Sequence, residues 1–266
     1  MATALITGAS AGLGLEFAWQ LAAARHDLVL VARDRTRLED LAEQIRSVAG
    51  VRVEVLPADL SVADDVDKVA ERLRATERPV GLLVNNAGYA VNRSFLNSTP
   101  QAQDDSLSVM VRAVMLLSHA AANQMRTRGR GAILNVSSVA ALTAAGTYSA
   151  HKAWVLSFTE GLAMDLAGTG VTATALCPGF VHTEFHERAG IDYSSFPEFA
   201  WLTAPQVVSA ALADVRRAKV ISTPSLRYQA VSGLLRAMPR WVVRGVQGQR
   251  TNSPAKPRAT STNKQP

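Results

Sequence analysis

The sequence predicts an α/β fold: a doubly wound parallel sheet in a three-layer α/β/α arrangement, forming a single domain. Apolar, β-branched runs alternate with helix-like stretches along the chain, in the order that a parallel sheet with crossover helices requires. A chain of 266 residues can bury a large core in one such domain. No internal repeat and no break in composition before about residue 250 indicates a second domain. We therefore expect this domain to span residues 1–250.

The chain opens with an apolar strand that runs directly into a glycine-rich turn. Residues 3–7 are apolar and β-branched, residues 8–14 carry glycines in the order G-x-x-x-G-x-G, and a helix-like stretch follows over 15–24. In this layout the backbone N–H groups and the helix N-terminus receive a pyrophosphate. The layout predicts a Rossmann-type dinucleotide site. Its predicted cofactor-binding residues are Gly8, Ser10, Gly12, Leu13 and Gly14.

The second predicted strand bears on the choice of cofactor. Residues 28–32 form a continuous apolar run, typical of a buried parallel strand. The tip of this strand carries Arg33, where an NAD-selective site usually offers Asp or Glu to the ribose hydroxyls. An arginine there can instead pair with a 2′-phosphate, and Arg37 lies one turn further on. The sequence predicts a preference for NADP(H), although Asp34 and Arg35 leave a solvated charged turn as the alternative.

Further strands are predicted for residues 51–56, 81–84, 133–136 and 171–176, each an apolar run. The strand at 133–136 ends in two consecutive serines, and a Tyr-x-x-x-Lys unit follows. Because Tyr148 and Lys152 are four residues apart, they lie on one face of a helix, where the ammonium group favours the ionised phenol. A phenol with an ordinary pKa of about 10 then becomes usable for proton transfer at neutral pH. A serine hydroxyl at the strand end can polarise a substrate carbonyl.

Taken together, these residues resemble the short-chain dehydrogenase/reductase family over roughly residues 3–215. The motifs that carry the resemblance are Thr7 to Gly14, Asp59-Leu60, Asn85-Asn86-Ala87-Gly88, Ser138 with Tyr148 and Lys152, and Pro178-Gly179. The resemblance implies that Tyr148 is the general acid/base, that Lys152 lowers its pKa and holds the nicotinamide ribose, and that Ser138 orients the carbonyl. Ser137 is the alternative serine. The further cofactor contacts implied are Asp59, Leu60, Asn86, Ala87, Gly88, Tyr148, Lys152, Pro178, Gly179 and Thr183.

One position departs from the family pattern. Many members place an Asn in the helix before the fifth strand, where it holds a water that links the lysine to solvent, and alignment puts Met110 there. A thioether cannot replace the donors and acceptors of an amide. Two hypotheses of function follow. The first is an NADPH-dependent reductase, or the reverse alcohol dehydrogenase; the second is an NADP-binding regulatory or scaffold protein with weak turnover.

Residues 180–202 follow the Pro-Gly motif and, by resemblance, form a substrate-covering lid. Their composition predicts an apolar carbonyl or alcohol substrate, of lipid, steroid or acyl type, although an ordinary packed helix pair would look similar. The apolar side chains concerned are Phe185, Ile191, Tyr193, Phe196, Phe199 and Trp201. The same segment carries His182, His186 and Glu187, but no third ligand is spaced to complete a metal site, so no metal is predicted.

Charge is concentrated at the C-terminal end. From residue 216 to residue 266 the chain has eleven Lys or Arg and no Asp or Glu, whereas its overall net charge is +6. Within this basic extension, about residues 216–250, apolar residues between Leu234 and Val243 are interleaved with arginines. One interpretation is a basic amphipathic helix lying on an anionic membrane surface; the other is that its apolar side closes the substrate pocket. No nucleic-acid recognition motif accompanies the charge, and residues 251–266 are expected to be disordered.

The remaining features predict a cytoplasmic protein, with peripheral membrane association through the basic helix as an open alternative. The lone Cys177 excludes an internal disulfide, suits a reducing compartment, and is interpreted as a buried spectator thiol. No signal peptide fits, because the first strand begins almost at Met1, and no run of eighteen apolar residues occurs. The resemblance also implies a homodimer or homotetramer, formed through helices at about 101–125 and 148–166, unless the C-terminal helix covers that face.

Overall fold

Seven parallel strands form the central sheet in the computed structural model, which describes residues 2–91, 94–184 and 197–251. The strand order is β3-β2-β1-β4-β5-β6-β9, so the direction of winding reverses between β1 and β4. In open sheets of this kind, ligands bind at the carboxyl ends of the strands beside that reversal. The strands are β1 Thr3–Thr7, β2 Asp27–Ala32, β3 Val53–Pro57, β4 Val80–Asn85, β5 Gly131–Val136, β6 Val171–Leu176 and β9 Ile221–Ser222.

Helices cover both faces of the sheet and bury two separate apolar layers against it. The layer on one face holds Phe17, Leu38 and Val207, and the layer on the other holds Leu117 and Met125. The predicted three-layer Rossmann-type fold is therefore confirmed. The helices are α1 Gly12–Ala23, α2 Arg35–Ala49, α3 Ala63–Arg74, α4 Pro100–Leu107, α5 Ala113–Thr127, α6 Gly146–Asp165, α7 Ala204–Arg216, α8 Leu226–Ala237 and α9 Arg240–Thr251.

Local sequence signals explain where several helices begin and end. The Asp34 side chain accepts a hydrogen bond from the Arg37 N–H and caps α2, which ends at Gly50 in the left-handed conformation with φ of 62°. Thr203 and Gln206 form a reciprocal capping box at the start of α7. These caps fix the residues at which α2 and α7 begin.

The helix expected over 101–125 contains an irregular turn. The α-helical segments α4 and α5 are joined by a π-helical turn, Ser108–Arg112. Such turns insert an extra residue into a helix and are frequent at functional sites. Met110 lies in this turn and is buried.

The two ends of the predicted lid pair with each other. Strand β7, Phe180–His182, runs parallel to β8, Trp201–Thr203, in a separate two-stranded sheet. The segment between them includes Phe185, His186, Glu187 and the other predicted lid residues Ile191, Tyr193 and Phe196, which lie outside the described residues, as does the predicted tail from residue 252.

The expectation of one amphipathic helix across Leu234 to Val243 is wrong. Helix α8 ends at Ala237, Met238 is extended with ψ of 136°, and α9 begins at Arg240. Pro239 explains the break, because its ring disfavours helical conformation at the preceding residue and it has no N–H to donate. None of the helices in the described part of the chain is long and apolar enough to cross a membrane.

Candidate active site

The glycine turn after β1 is shaped by close backbone approach. Gly8 has a φ of +66°, which favours glycine. A side chain at Gly14 would collide with the Gly8 carbonyl oxygen, so α1 packs tightly against the turn. Ala11, the residue that caps α1, has no side-chain acceptor, which leaves the first N–H groups of α1 to be satisfied by another partner. This is the geometry that receives a phosphate at a helix N-terminus.

Thr7 ties the glycine turn to the end of β4. Its hydroxyl accepts hydrogen bonds from the backbone N–H groups of Asn86 and Ala87, each 3.0 Å long. The Asn86 amide group donates in return to the Thr7 carbonyl oxygen at 2.9 Å. Asn86 and Ala87, which were predicted cofactor contacts, are thereby held beside the turn. Thr7 itself was missed as a site residue, although it opens the glycine motif.

The tips of β2 and β3 bring together a cation and a carboxylate. Arg33 directly follows β2, its side chain is 75% exposed, and its Nη1 atom lies 4.0 Å from the Asp59 Oδ2 atom. Asp59 also accepts hydrogen bonds from the Ser61 N–H at 2.9 Å and the Ser61 hydroxyl at 2.7 Å. Leu60 is buried beside them. These predicted residues lie at the same end of the sheet as the glycine turn, because β1 and β2 are parallel neighbours and their carboxyl ends are side by side.

The two serines after β5 differ in their hydrogen bonds. Ser137 is buried, and its hydroxyl donates to the backbone carbonyl of Lys152 at 2.7 Å. Ser138 is half-buried, and its hydroxyl oxygen accepts the N–H of Ala140 at 3.1 Å. The Ser138 hydroxyl proton is therefore available for a further acceptor, whereas that of Ser137 is committed to the protein.

Tyr148 and Lys152 lie on one face of α6. The Lys152 Nζ atom is 5.7 Å from the centre of the Tyr148 ring and donates to the Val136 carbonyl oxygen at 2.8 Å. Lys152 is buried, and the loss of hydration lowers the pKa of its ammonium group to about 8. Lys152 is thus predominantly charged at neutral pH, and this buried positive charge favours the ionised form of a neighbouring phenol.

Met110 and Gly88 complete the surroundings of the lysine. A Cβ atom added at Gly88 would lie 3.3 Å from the Met110 sulfur and 3.5 Å from the Lys152 Nζ atom. The thioether and the ammonium group therefore face the same small space. A thioether sulfur is only a weak acceptor and has no donor, so Met110 cannot hold a water as an amide would.

A buried polar network lies below these residues and was missed by the sequence analysis. The Asn85 amide group donates to the Asn135 side-chain oxygen at 2.9 Å and to the Ser118 hydroxyl at 3.1 Å. The Asn135 amide group donates to the Thr159 hydroxyl at 3.0 Å. These bonds join β4, β5, α5 and α6, so they fix the position of the helix that carries Tyr148 and Lys152. The only signal in the sequence was an Asn at or near the end of two apolar strands.

Tyr228 joins the two ends of the predicted lid to α8. Its hydroxyl donates to the Ala200 carbonyl at 2.7 Å and accepts the Phe180 N–H at 3.1 Å. Its ring fills the space that a side chain at Gly179 would need. The predicted contact Pro178 is buried next to Gly179. Sequence analysis missed Tyr228 because it follows the Pro-Gly motif only after the whole lid and α7.

Thr183 reaches back to the glycine turn. A Cβ atom added at Gly12 would lie 3.4 Å from the Thr183 Cβ atom. The next residue, Glu184, lies 3.9 Å from the Arg37 guanidinium group. The start of the predicted lid therefore lies against both the turn and α2, so Thr183 is beside other residues that were predicted to contact the cofactor.

Two residues considered in the sequence analysis have other surroundings. His182 contacts the Glu198 carboxylate at 3.0 Å and stacks on the Trp201 ring. Within residues 2–91, 94–184 and 197–251, no group of three or more His, Cys, Asp or Glu side chains is placed to hold a metal ion. Burial raises the pKa of the Cys177 thiol to about 11, so Cys177 is uncharged at neutral pH.

Comparison with known proteins identifies close matches to this arrangement. A family model described as short chain dehydrogenase matches residues 2–193. A short-chain dehydrogenase from Sphingobium yanoikuyae in complex with NADPH is 34% identical, with a TM-score of 0.81; the match covers 97% of this chain and 99% of that chain.

Two further relatives differ in the substrates that their names state. The bulky-bulky ketone specific alcohol dehydrogenase from Comamonas testosteroni is 29% identical, with a TM-score of 0.76 and 97% of each chain covered. Gluconate 5-dehydrogenase from Gluconobacter oxydans (strain 621H) is 35% identical over 199 residues, which cover 72% of this chain and 75% of the relative.

Proposed function

The chain belongs to the short-chain dehydrogenase family, and from this premise we propose that it is an NADP(H)-dependent oxidoreductase acting on an apolar ketone, aldehyde or alcohol. Family membership implies oxidoreductase chemistry on a small carbonyl or alcohol with a nicotinamide cofactor. The observation that carries the proposal is the buried Lys152 ammonium group, 5.7 Å from the Tyr148 ring, at the carboxyl end of β5.

In the proposed reaction the chain's own residues handle the proton. A bound nicotinamide would supply or accept the hydride. In the reducing direction, the Ser138 hydroxyl donates a hydrogen bond to the substrate carbonyl oxygen, and Tyr148 transfers its phenolic proton to that oxygen. Lys152 stabilises the resulting phenolate through its buried charge. In the oxidising direction, the Tyr148 phenolate removes the hydroxyl proton.

The residues at the sheet edge fit a dinucleotide. The compact turn at Gly8 and Gly14 and the N-terminus of α1 suit a pyrophosphate. The Arg33 guanidinium group is exposed, and its contact with the Asp59 carboxylate is a long one of 4.0 Å. The side chain can therefore turn to pair with a 2′-phosphate. Arg33 therefore supports NADP(H) over NAD(H), and the NADPH complex of the Sphingobium relative agrees with this preference.

The substrate proposal rests on the base of the lid. Phe180 and Trp201 pack with ring centres 5.5 Å apart, and Phe199 nearby is 69% exposed. Apolar rings at this place favour an apolar substrate, as does the ketone named for the Comamonas relative. The gluconate-oxidising relative shows that a polar substrate belongs in any test.

Two finer points complete the proposal. Association as a homodimer or homotetramer through α5 and α6 is proposed on the resemblance, and the exposed Met164 on α6 offers an apolar contact for it. Sedimentation equilibrium of the full chain tests this directly. The regulatory or scaffold alternative is not favoured, because the relatives are named as oxidoreductases.

The test is the oxidation of NADPH by the full chain with a panel of bulky apolar ketones, aldehydes and one sugar acid ketone. We expect turnover with the apolar compounds, and loss of that turnover in Tyr148→Phe. NADPH binding, measured by fluorescence, should persist in that variant because the ring remains. NADPH binding without turnover of any compound by the native chain would overturn the proposal.

A further inference from the structure

The outward side of α8 is apolar. Leu226 and Leu234 are 82% and 58% exposed, and Ala230, Gly233 and Ala237 are exposed on the same side, because helical spacing brings these five positions together. A surface helix ordinarily turns its apolar side inward and its polar side to solvent. Here the solvent side of α8 holds no charged residue along its centre.

The inward side of α8 packs against the rest of the protein. The helix is therefore already docked, and its outward side is not an unused packing surface for the core. Tyr228 bonds the lid base, Ser232 is buried and Leu235 is half-buried. This side packs against the short helical turn Val139–Leu142 that follows Ser138. The outward apolar side is therefore a second face, which the protein's own described residues leave exposed.

Arginines flank this apolar face. Arg227 and Arg236 are exposed and lie on either side of the row of apolar residues, at helical angles that differ by about half a turn. Arg244 is exposed on α9. From residue 216 to residue 251 the chain has eight Lys or Arg and no Asp or Glu. The face is thus apolar at its centre and cationic at its margins.

The helix that follows α8 also exposes a large aromatic side chain. Trp241, in the first turn of α9, is 70% exposed. Tryptophan is enriched where one side of a molecule meets lipid and the other meets water. We call Leu226, Leu234, Trp241, Arg236 and Arg244 the docking face.

Charge and apolarity together select the partner. A second copy that docked through the same face would bring two cationic surfaces together, and the segment 216–251 has no Asp or Glu to neutralise them, which is unfavourable. An acidic protein surface would satisfy the arginines and leave exposed leucines opposite charged groups. A bilayer with anionic headgroups satisfies both, since leucine and tryptophan enter the interface while arginine pairs with phosphate.

We propose that the docking face binds the surface of an anionic lipid bilayer, with α8 lying along the interface. Arg227 donates to the Phe199 carbonyl oxygen and Tyr228 to that of Ala200, so α8, which carries Leu226, Leu234 and Arg236 of the docking face, is joined to the base of the predicted lid. A chain bound in this way has the base of the predicted lid beside the bilayer. Docking itself does not depend on the proposed reaction.

The test is flotation of the full chain with vesicles of phosphatidylcholine alone and of phosphatidylcholine mixed with phosphatidylglycerol. We expect binding to the mixed vesicles, weakening as salt is raised, and little binding to phosphatidylcholine. The Trp241 emission should shift to the blue on binding, and this shift should be missing in Trp241→Phe. Trp241→Phe is a conservative change that should leave the fold intact. A blue shift present in the native chain and missing in this variant therefore reports on Trp241 at the bilayer and not on unfolding.

Two double variants separate the apolar and cationic contributions. Leu226→Ser with Leu234→Ser should weaken vesicle binding about 10-fold to 100-fold through lost apolar burial. Arg236→Gln with Arg244→Gln should weaken it about 10-fold or more. The matched controls are Leu96→Ser, at a side chain 90% exposed elsewhere, and Arg126→Gln with Arg130→Gln. These controls should bind like the native chain.

Three results would overturn the proposal. The first is failure of the native chain to bind anionic vesicles at low salt. The second is equal loss of binding in the control variants, which would assign the effect to net charge or general apolarity. The third is a native oligomer that does not bind vesicles and that dissociates in the double variant Leu226→Ser with Leu234→Ser. A second copy of the chain, and not a bilayer, would then cover the face.

Discussion

The Ser137 hydroxyl donates a 2.7 Å hydrogen bond to the backbone carbonyl of Lys152, so the serine at the end of β5 anchors the helix that carries the lysine. The neighbouring Ser138 hydroxyl only accepts, from the Ala140 N–H. The two hydroxyl groups therefore differ in what their removal should do.

Replacement of the two serines should separate catalysis from stability. Ser138→Ala is expected to lower kcat about 100-fold or more, by loss of a hydrogen bond to the reacting oxygen, with little change in Tm. Ser137→Ala removes a buried hydrogen bond that ties the end of β5 to α6, and it should destabilise the fold by about 0.5–1.5 kcal/mol. Steady-state kinetics and thermal unfolding of both variants provide the measurement. A larger kcat loss in Ser137→Ala would transfer the proposed role to Ser137.

Restoring an amide beside Lys152 should speed proton transfer. In Met110→Asn the side chain gains donors and acceptors that can order a water next to the ammonium group, and we expect kcat to rise about 10-fold, within the range of general acid/base assistance. Met110→Leu, which conserves the apolar volume, is the control and should leave kcat unchanged. An unchanged kcat in a folded Met110→Asn protein would show that proton transfer does not limit the rate.

Arg33 should decide between the two nicotinamide cofactors. Arg33→Ala removes a charge-assisted contact to the 2′-phosphate and should raise KM for NADPH about 10-fold to 100-fold, while KM for NADH changes little. The control is Arg35→Ala, because the Arg35 guanidinium group lies 3.7 Å from the Glu39 carboxylate within α2. Parallel kinetics with both cofactors test this. An equal effect on NADH would refute a role for Arg33 at the 2′-phosphate.

The buried lysine should reduce the stability of the protein in the absence of cofactor. Burial lowers the pKa of Lys152 from 10.5 to about 8, so the folded protein carries an unfavourable charge at neutral pH. Lys152→Met should therefore raise the free energy of unfolding by about 1–3 kcal/mol at neutral pH while abolishing efficient turnover.

The same pKa shift predicts how this difference varies with pH. Between about pH 8 and 10.5 the unfolded chain binds more protons than the folded chain at this group, so the native protein gains stability as pH rises. The difference in free energy of unfolding between the native protein and Lys152→Met, measured by denaturant titration, should consequently become smaller as pH rises from about 8 to 10.5. Lys68→Met, at an exposed lysine, should show no such narrowing. A gap that stays constant would mean that Lys152 titrates normally.

The sheet was largely predictable because buried parallel strands have continuous apolar sequences. The strands predicted over 3–7 and 171–176 have those bounds in the structure, and the other four predicted strands differ at their ends by a residue or two. Strand β9 was missed, since Ile221 and Ser222 are too few residues to form a pattern. Its place in the sheet depends on pairing with β6, which only the folded chain reveals.

The candidate site was predictable where one short motif holds all the atoms concerned. The glycine turn and the Tyr148 and Lys152 pair are of this kind. The bond between Asn85 and Asn135 is not, because it exists only once β4 and β5 lie side by side. The C-terminal helix was mispredicted for a different reason: apolar periodicity was followed across Pro239, although proline ends a helix at its preceding residue.

The Tyr228 ring occupies the volume that any side chain at position 179 would need, and its hydroxyl bonds both ends of the lid. The predicted lid and α8 therefore have to be kept together in any chimaeric protein. A lid grafted from a relative will close its base only if glycine is kept at 179 and a tyrosine still enters from α8. Redesign of the proposed substrate lid therefore requires that the segment 180–202 and α8 be exchanged together.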